Sequence, residues 1–250
     1  MLDQQIRRRF RRISRALVLG MLVAGSSAGF GAAGEGGNLA PNGGQDAHHH
    51  RKHDAVMTHR FDDIERWVRL FEDPERKRWQ RPQEVVDFLS IEKEQIVVDI
   101  GAGTGYFSVL FAEAVGPQGK VLALDVEEGM VDYVNERARR ESLGQLLSAV
   151  VPPDDPAIPD PGADLVFVCD TWHHIDDRIA YLAKIRSKLR PGGRLAIVDF
   201  REGELPVGPP AGHKLSREDV LSELKTAGWT LAEEMTDLPY QYVLVFRPND

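Results

Sequence analysis

The sequence predicts an α/β domain built on a doubly wound sheet of seven strands, mostly parallel with an antiparallel last strand. Three observations carry this expectation. From residue 95 onward, short apolar runs alternate with segments of helical spacing, the pattern of a parallel sheet covered by helices on both faces. The run Val97-Val98-Asp99-Ile100 lacks polar alternation, so it reads as a strand buried on both faces. Directly after it, Gly101-Ala102-Gly103-Thr104-Gly105 lets the backbone turn sharply into a helix beginning at Tyr106. A loop of this kind, at the carboxyl end of a strand, is where such sheets hold ligands.

Ahead of the core, Phe61, Ile64, Trp67, Val68 and Phe71 recur at helical spacing, with Asp62 and Asp63 in a first turn. Asp73-Pro74 opens a second short helix ending near Trp79, and Pro82 to Leu89 make a third. These helices form an N-terminal cap, residues 59–90, and Trp67, Phe71 and Trp79 are expected to pack on the sheet or to line a pocket.

The core follows over residues 95–247. The first strand is 95–100 and its helix 106–115, closed by Gly116-Pro117. Lys120 to Leu124 form the second strand, ending in Asp125, and Glu127 to Arg140 a helix with Met130, Tyr133, Val134 and Arg137 on one side. The third strand lies near 146–151, after which Pro152-Pro153-Asp154-Asp155-Pro156 leaves room for no full helix. Ala163 to Cys169 are the fourth strand, and Asp176 is expected to cap a helix to Leu189 with Ile179, Leu182, Ile185 and Leu189 inward. Arg190-Pro191-Gly192-Gly193 turns into the fifth strand, Arg194 to Phe200. A Gly/Pro loop spans 201–215, Ser216 caps a helix to Ala227, and Trp229 to Met235 and Tyr240 to Phe246 are the last two strands.

Two segments stand apart from this domain, residues 59–250. Residues 1–33 combine six arginines with a short apolar core, Ala16 to Ala24, and read as a signal or membrane anchor. Arg7-Arg8-Arg9-Phe10 fits a loose twin-arginine pattern. This leader implies an exported, periplasmic location or membrane anchorage by that segment alone. Residues 34–58 form a His/Gly-rich disordered linker, in which His48, His49, His50 and His53 either bind a metal ion or make a solvated tract, the latter being favoured because nothing fixes a metal geometry. The whole chain has a net charge of −8 and the leader +5, which leaves the remainder at −13. An acidic body argues against nucleic acid as partner. Cys169 is the only cysteine and lies in an apolar run, so it reads as a small buried residue and no internal disulfide is possible.

The glycine spacing separates ligand classes. Dinucleotide sites carry G-x-G-x-x-G, whereas Gly101, Gly103 and Gly105 here are spaced G-x-G-x-G and followed by Tyr106, which excludes a nicotinamide dehydrogenase. Asp99, just before the loop, would repel a pyrophosphate but suits an ammonium group. Asp125, about twenty residues after the loop, offers two carboxylate oxygens to two ribose hydroxyls.

The run D-I-G-A-G-T-G-Y, Asp99 to Tyr106, resembles the first motif of class I S-adenosylmethionine (SAM)-dependent methyltransferases. Asp170-Thr171-Trp172-His173-His174-Ile175 resembles the H-H-I form of the ubiquinone/menaquinone-biosynthesis-type (methyltransferase type 11) enzymes, and Arg190-Pro191-Gly192-Gly193 resembles their L-x-P-G-G turn. The resemblance covers residues 82–247. It implies a single, Rossmann-like catalytic domain, SAM as cofactor and a small organic methyl acceptor. It places Asp99, Gly101, Ala102, Gly103, Thr104, Gly105, Tyr106, Asp125 and Val126 around the cofactor, with Asp154 or its neighbour Asp155 at the adenine amino group and Asp170 at the methionine part. His173 or His174 becomes the candidate base, one of the two facing the pocket, and no metal is implied. No Asn-Pro-Pro-Tyr run is present, which argues against methylation of exocyclic or amide nitrogens. The rival reading is an exported SAM-fold module that binds without turnover, since SAM is made inside cells and the leader points outward.

Overall fold

The computed structural model describes residues 64–249. The leader, the linker with its histidines, and Phe61, Asp62 and Asp63, which the sequence pattern assigns to the first helix, lie outside the described residues. Seven strands form one sheet: β1 Ile96–Ile100, β2 Lys120–Asp125, β3 Leu146–Val150, β4 Ala163–Cys169, β5 Leu189–Phe200, β6 Trp229–Met235 and β7 Gln241–Pro248. Their order is β3-β2-β1-β4-β5-β7-β6, and β7 alone runs opposite to the other six. The strand order reverses between β1 and β4, which pair in parallel, so the carboxyl ends of these two strands open onto the crevice where doubly wound sheets bind ligands.

Seven helices accompany the strands: α1 Ile64–Phe71, α2 Arg76–Gln80, α3 Pro82–Phe88, α4 Tyr106–Val115, α5 Glu128–Arg140, α6 Arg178–Arg186 and α7 Arg217–Thr226. The two-residue period of the strands divides the core between the faces. Val98, Ile100, Leu122 and Leu124 join Tyr181, Leu182 and Ile185 of α6 and Val220 and Leu224 of α7. Val97, Val121, Ala123 and Phe167 join Val85 and Val86 of α3, Phe107 and Phe111 of α4, and Val134 and Ala138 of α5. Asp99, one residue beyond Val98, therefore points to the α4 side, where Ser108 meets it.

The structure corrects three local expectations. The cap of α6 is Asp177, not Asp176: its side chain accepts the Ala180 N–H at 3.0 Å. With the helix so placed, Ile179 is 47 % exposed and Tyr181 takes an inward place. In α5 the buried line is Met130, Val131, Val134 and Ala138, so Tyr133 and Arg137 are only half-buried. Residues 190–193 do turn, but as an excursion within β5: Ala163 pairs with Leu189 and Leu165 with Arg194, and the turn bulges out between them. No helix intervenes between β3 and β4, in keeping with the proline-rich crossover.

Gly101 fixes how closely the β1 loop approaches β4. It adopts φ +68°, and a Cβ there would lie 2.2 Å from the Thr171 hydroxyl oxygen. Gly192 also has positive φ, +77°, but a Cβ there meets nothing within 4 Å. Gly192→Ala is expected to cost about 1 kcal/mol, the backbone penalty alone, and Gly101→Ala about 3 kcal/mol, because overpacking adds to it. Urea unfolding of the full chain checks this. Equal losses for the two variants would mean that the approach of the loop to Thr171 is not tight.

Candidate functional site

The loop after β1 is braced by carboxylates. Asp125 ends β2, and its Oδ2 accepts the Gly103 N–H at 2.8 Å while its Oδ1 accepts the Glu127 N–H at 3.0 Å. The Val126 N–H also lies against this carboxylate, so backbone donors hold it in place at the end of β2. Val126, next to it, is 49 % exposed. Asp99 is buried and accepts the Ser108 hydroxyl at 2.5 Å. Thr104 donates to Glu72 Oε1 at 2.6 Å, and the same oxygen receives Arg137 Nη1 at 2.8 Å. The cap is thus strapped across the loop, with the Phe71 ring 3.5 Å from where a Gly103 Cβ would be. Ala102 packs against the core and Tyr106 opens α4.

At the end of β4, Asp170 occupies the left-handed region with φ +54°, a conformation that costs a non-glycine residue energy and clusters at functional sites. Its Oδ1 accepts the Gln241 amide at 2.5 Å and its Oδ2 the Gln80 amide at 3.4 Å, while Gln80 also donates to Gln241 Oε1 at 3.0 Å. Gln80 and Gln241 are both fully buried. Asp170 therefore sutures α2, β4 and β7 together, and its oxygens are already engaged by protein donors. Cys169, half-buried beside it, is met by the Gln80 amide at 3.3 Å, and burial pushes its thiol well above the ordinary range.

The histidines differ. His173 Nδ1 lies 3.0 Å from both oxygens of Asp199, a carboxylate with no solvent exposure that also accepts the Phe200 N–H. His174 packs its ring 4.2 Å from that of His173. Burial alone would lower the His173 pKa, but the Asp199 hydrogen bond and charge, with Asp170 behind them, carry it above the usual value. Trp79 stands 5.7 Å from Phe200 and 6.2 Å from Tyr240, so aromatic rings lie next in sequence to Asp199 and Gln241.

Asp99, Gly101, Ala102, Gly103, Thr104, Gly105, Tyr106 and Asp125 converge at the carboxyl ends of β1 and β2, and Asp170, His173 and His174 follow β4. Asp154 follows β3, the neighbour of β2: it is exposed, its main-chain oxygen accepts Lys184 Nζ of α6 at 2.6 Å, and no hydrogen bond or ion pair involves its side chain. Asp155 instead accepts the Ala157 N–H, the turn chemistry that an Asp beside Pro favours. Several residues of the site escaped sequence reasoning. Asp199 carried a signal, a lone carboxylate in the apolar run Ile197-Val198-Asp199-Phe200, the same signature as Asp99. Gln80, Gln241, Glu72 and Arg76 carried none, since their partners are remote in sequence.

The donor set fits SAM better than a pyrophosphate. Asp99 and Asp125 put carboxyl groups on both sides of the loop, and no basic side chain hydrogen-bonds to either. Among the described residues, no group of three or more His, Cys, Asp or Glu is arranged to hold a metal ion. Comparison with known proteins agrees with this chemistry. A family model described as a methyltransferase domain matches residues 98–195. The chain is 26 % identical over 129 residues to the demethylmenaquinone methyltransferase of Listeria welshimeri, covering 52 % of this chain and 54 % of that protein. It is 32 % identical over 130 residues to the aklanonic acid methyltransferase of a Streptomyces species, covering 51 % of this chain and 59 % of the other. The chain thus spans little more than half the length of the curated relatives it matches. A SAM-dependent methyltransferase from Aquifex aeolicus superposes with a TM-score of 0.69 at 26 % identity, over 74 % of this chain and 97 % of that one.

Asp99 gives a test of these electrostatics. Burial, with Asp125 nearby, raises its pKa to about 7 against the opposing Ser108 hydrogen bond and Arg76 charge. Between about pH 4 and 7 the folded protein therefore holds a proton that the unfolded chain has released. The group favours folding on the acid side, and that contribution is lost as pH rises through 7. Asp99→Asn keeps the acceptor for Ser108 and removes the buried charge. It is expected to stabilise the ligand-free protein by about 1–3 kcal/mol at pH 8 and by little at pH 5, read by urea unfolding at both. An equal difference at the two pH values would place the Asp99 pKa elsewhere.

Proposed function

We propose that this chain is a class I SAM-dependent methyltransferase, a reading that its similarity to a methyltransferase domain and to known methyltransferases supports, and that it transfers a methyl group from SAM to a small organic acceptor that gives up a proton in the reaction. The observation that carries the reading is a juxtaposition: a glycine loop flanked by Asp99 and Asp125 at one side of the crevice, and a pair made by His173, just after β4, and Asp199 of β5. The names of the relatives, methyltransferases of demethylmenaquinone and of aklanonic acid, support a small-molecule acceptor.

When bound, SAM supplies a methyl carbon made electrophilic by its sulfonium. The chain's own residues bind, orient and handle the proton. Asp125 faces the ribose diol with its carboxylate, Asp99 offers charge to the ammonium, and the bare backbone of the loop allows close approach. Asp199 fixes the His173 ring by taking Nδ1–H, which leaves Nε2 as the proton acceptor. His173 is therefore the base of the adjacent pair, and His174 packs against it. Trp79, Phe200 and Tyr240 supply an apolar wall that keeps water from the proton transfer.

With methyl-labelled SAM and a metabolite extract supplying the acceptor, labelled product is expected from the full chain. His173→Asn is expected to lower the rate by about 10²–10⁴, with SAM affinity retained, and Asp199→Asn to act in the same direction. Because the His173 pKa is raised, the rate rises as pH climbs through that raised value, and this limb should vanish in His173→Asn. His174→Asn is expected to keep the limb. Absence of labelled product from any extract, while SAM still binds, would contradict turnover; an unchanged pH profile in His173→Asn would remove His173 as the base.

A further inference from the structure

Trp172, His173 and His174 make a single 3₁₀ turn between β4 and α6. Its main-chain bonds are local: the His174 N–H donates to the Thr171 carbonyl at 2.9 Å and the Ile175 N–H to that of Trp172 at 3.3 Å. Such a turn has poor hydrogen-bond geometry and does little to fix itself. Arg178, the first residue of α6, reaches back and donates Nη1 to the Ile175 carbonyl at 3.0 Å. The rest of its guanidinium forks onto Glu223 of α7, Nε to Oε2 at 2.8 Å and Nη2 to Oε1 at 2.5 Å. A two-pronged pair of this kind holds the guanidinium plane in one orientation. The start of α6 does not account for Arg178. Asp177 already caps the helix through the Ala180 N–H, and a cation in a first turn opposes the helix dipole. Stability is a weak reason too, because both partners are partly exposed and such pairs contribute little.

Resting on the reading of His173 as proton acceptor, we infer that Arg178 is the positioning residue of that histidine: it fixes the turn through Ile175 and presents it with a positive charge that Glu223 partly offsets. The charged and titratable groups facing His173 come from each element packed around it. They are Asp199 of β5, Asp170 at the end of β4, His174 in the same turn and Arg178 of α6. Tyr242 of β7 lies opposite Asp199 and gives its hydroxyl to the Leu215 carbonyl. Arg178 in turn faces Glu223, Asp176 and Asp199. Burial disfavours the protonated ring, Asp199 and Asp170 favour it, and Arg178 opposes it. Without the cation, the two carboxylates would keep the proton on His173 to higher pH and leave less of the base form near neutrality. With the cation bare of Glu223, the imidazole would be a weaker base. The Arg178–Glu223 pair thus sets the balance while touching neither donor nor acceptor.

Imidazole resonances of the full chain, followed by NMR against pH, test this, with the His173 signal identified by its loss in His173→Asn. Arg178→Met is expected to move the His173 midpoint up by about 0.5–1 pH unit, the scale of one charge acting through a partly wet site. Glu223→Gln keeps an oxygen for the fork but removes the offsetting charge, so the midpoint is expected to fall by a similar amount. Arg178→Lys keeps the charge and loses the fork. Its midpoint is expected to stay near that of the wild-type chain, while the methyl-transfer rate above the pH limb falls several-fold. With labelled SAM and the metabolite extract, the limb of the rate profile should move with each midpoint. Thermal unfolding checks that each variant is folded. A mere brace between α6 and α7 cannot give opposite shifts, because both substitutions weaken the same contact. Midpoints that stay put, or that move the same way in Arg178→Met and Glu223→Gln, would overturn the inference, and labelled product in that case would leave the donor reading intact. Opposite shifts without labelled product from any extract would uphold the role of Arg178 toward His173 and remove turnover instead.

Discussion

The close passage of the β1 loop against the end of β4 is the constraint on which the site depends. Gly101 has no side chain, and Thr171 fills the space that one would take. That contact draws the carboxyl ends of two parallel strands together where the sheet changes winding direction. From it follow the positions of Asp99, two residues before Gly101, and of Asp170, one residue before Thr171. Had a Cβ intervened, the loop would stand off from β4, and the acidic wall and the histidine pair would no longer share one crevice. Packing at a single glycine thus sets distances between groups that carry charge.

Charge is concentrated there at a cost to the fold. Burial raises the pKa of Asp99 to about 7 and of Asp170 to about 6, Asp170 against the pull of Arg76. Carboxylates this far from water destabilise a domain unless something pairs with them. The chain offsets part of this with amides and hydroxyls, namely Gln80, Gln241 and Ser108, which hydrogen-bond without neutralising. A site so arranged remains ready for a cationic group from outside.

How much of this was legible in the sequence varies with the range of the interaction. The strands announced themselves because parallel strands are apolar on both faces, and the glycine loop because turns of that kind admit few other residues. The alternation of Val97, Val98, Asp99 and Ile100 already contained the two cores and the direction of the carboxylate. The register of α6 was missed by one residue, since Asp176 and Asp177 are both good caps and only packing chooses between them. The cap's contribution was opaque for a different reason. Arg76 lies in the run Arg-Lys-Arg-Trp-Gln, which looks like an exposed helix face, and its burial against Tyr106 depends on tertiary contact alone.

The suture through Gln80, Asp170 and Gln241 joins residues separated by 71, 90 and 161 positions, so its last member is supplied by the last strand. β7 also lies between β5 and β6, not at an edge, and β6 is bonded to the sheet only through it. On a ribosome, where chains emerge amino end first, the cap and the glycine loop are made early and wait for their anchor. A nascent chain halted before Gln241 has β1 to β5 available to pair but leaves Gln80 and Asp170 without the amide that bridges them. The crevice becomes complete only when the carboxyl-terminal strand threads into its gap. Ligand competence is therefore a late event in the life of each molecule, and shortening the chain at its far end strikes the site before it strikes the central strands.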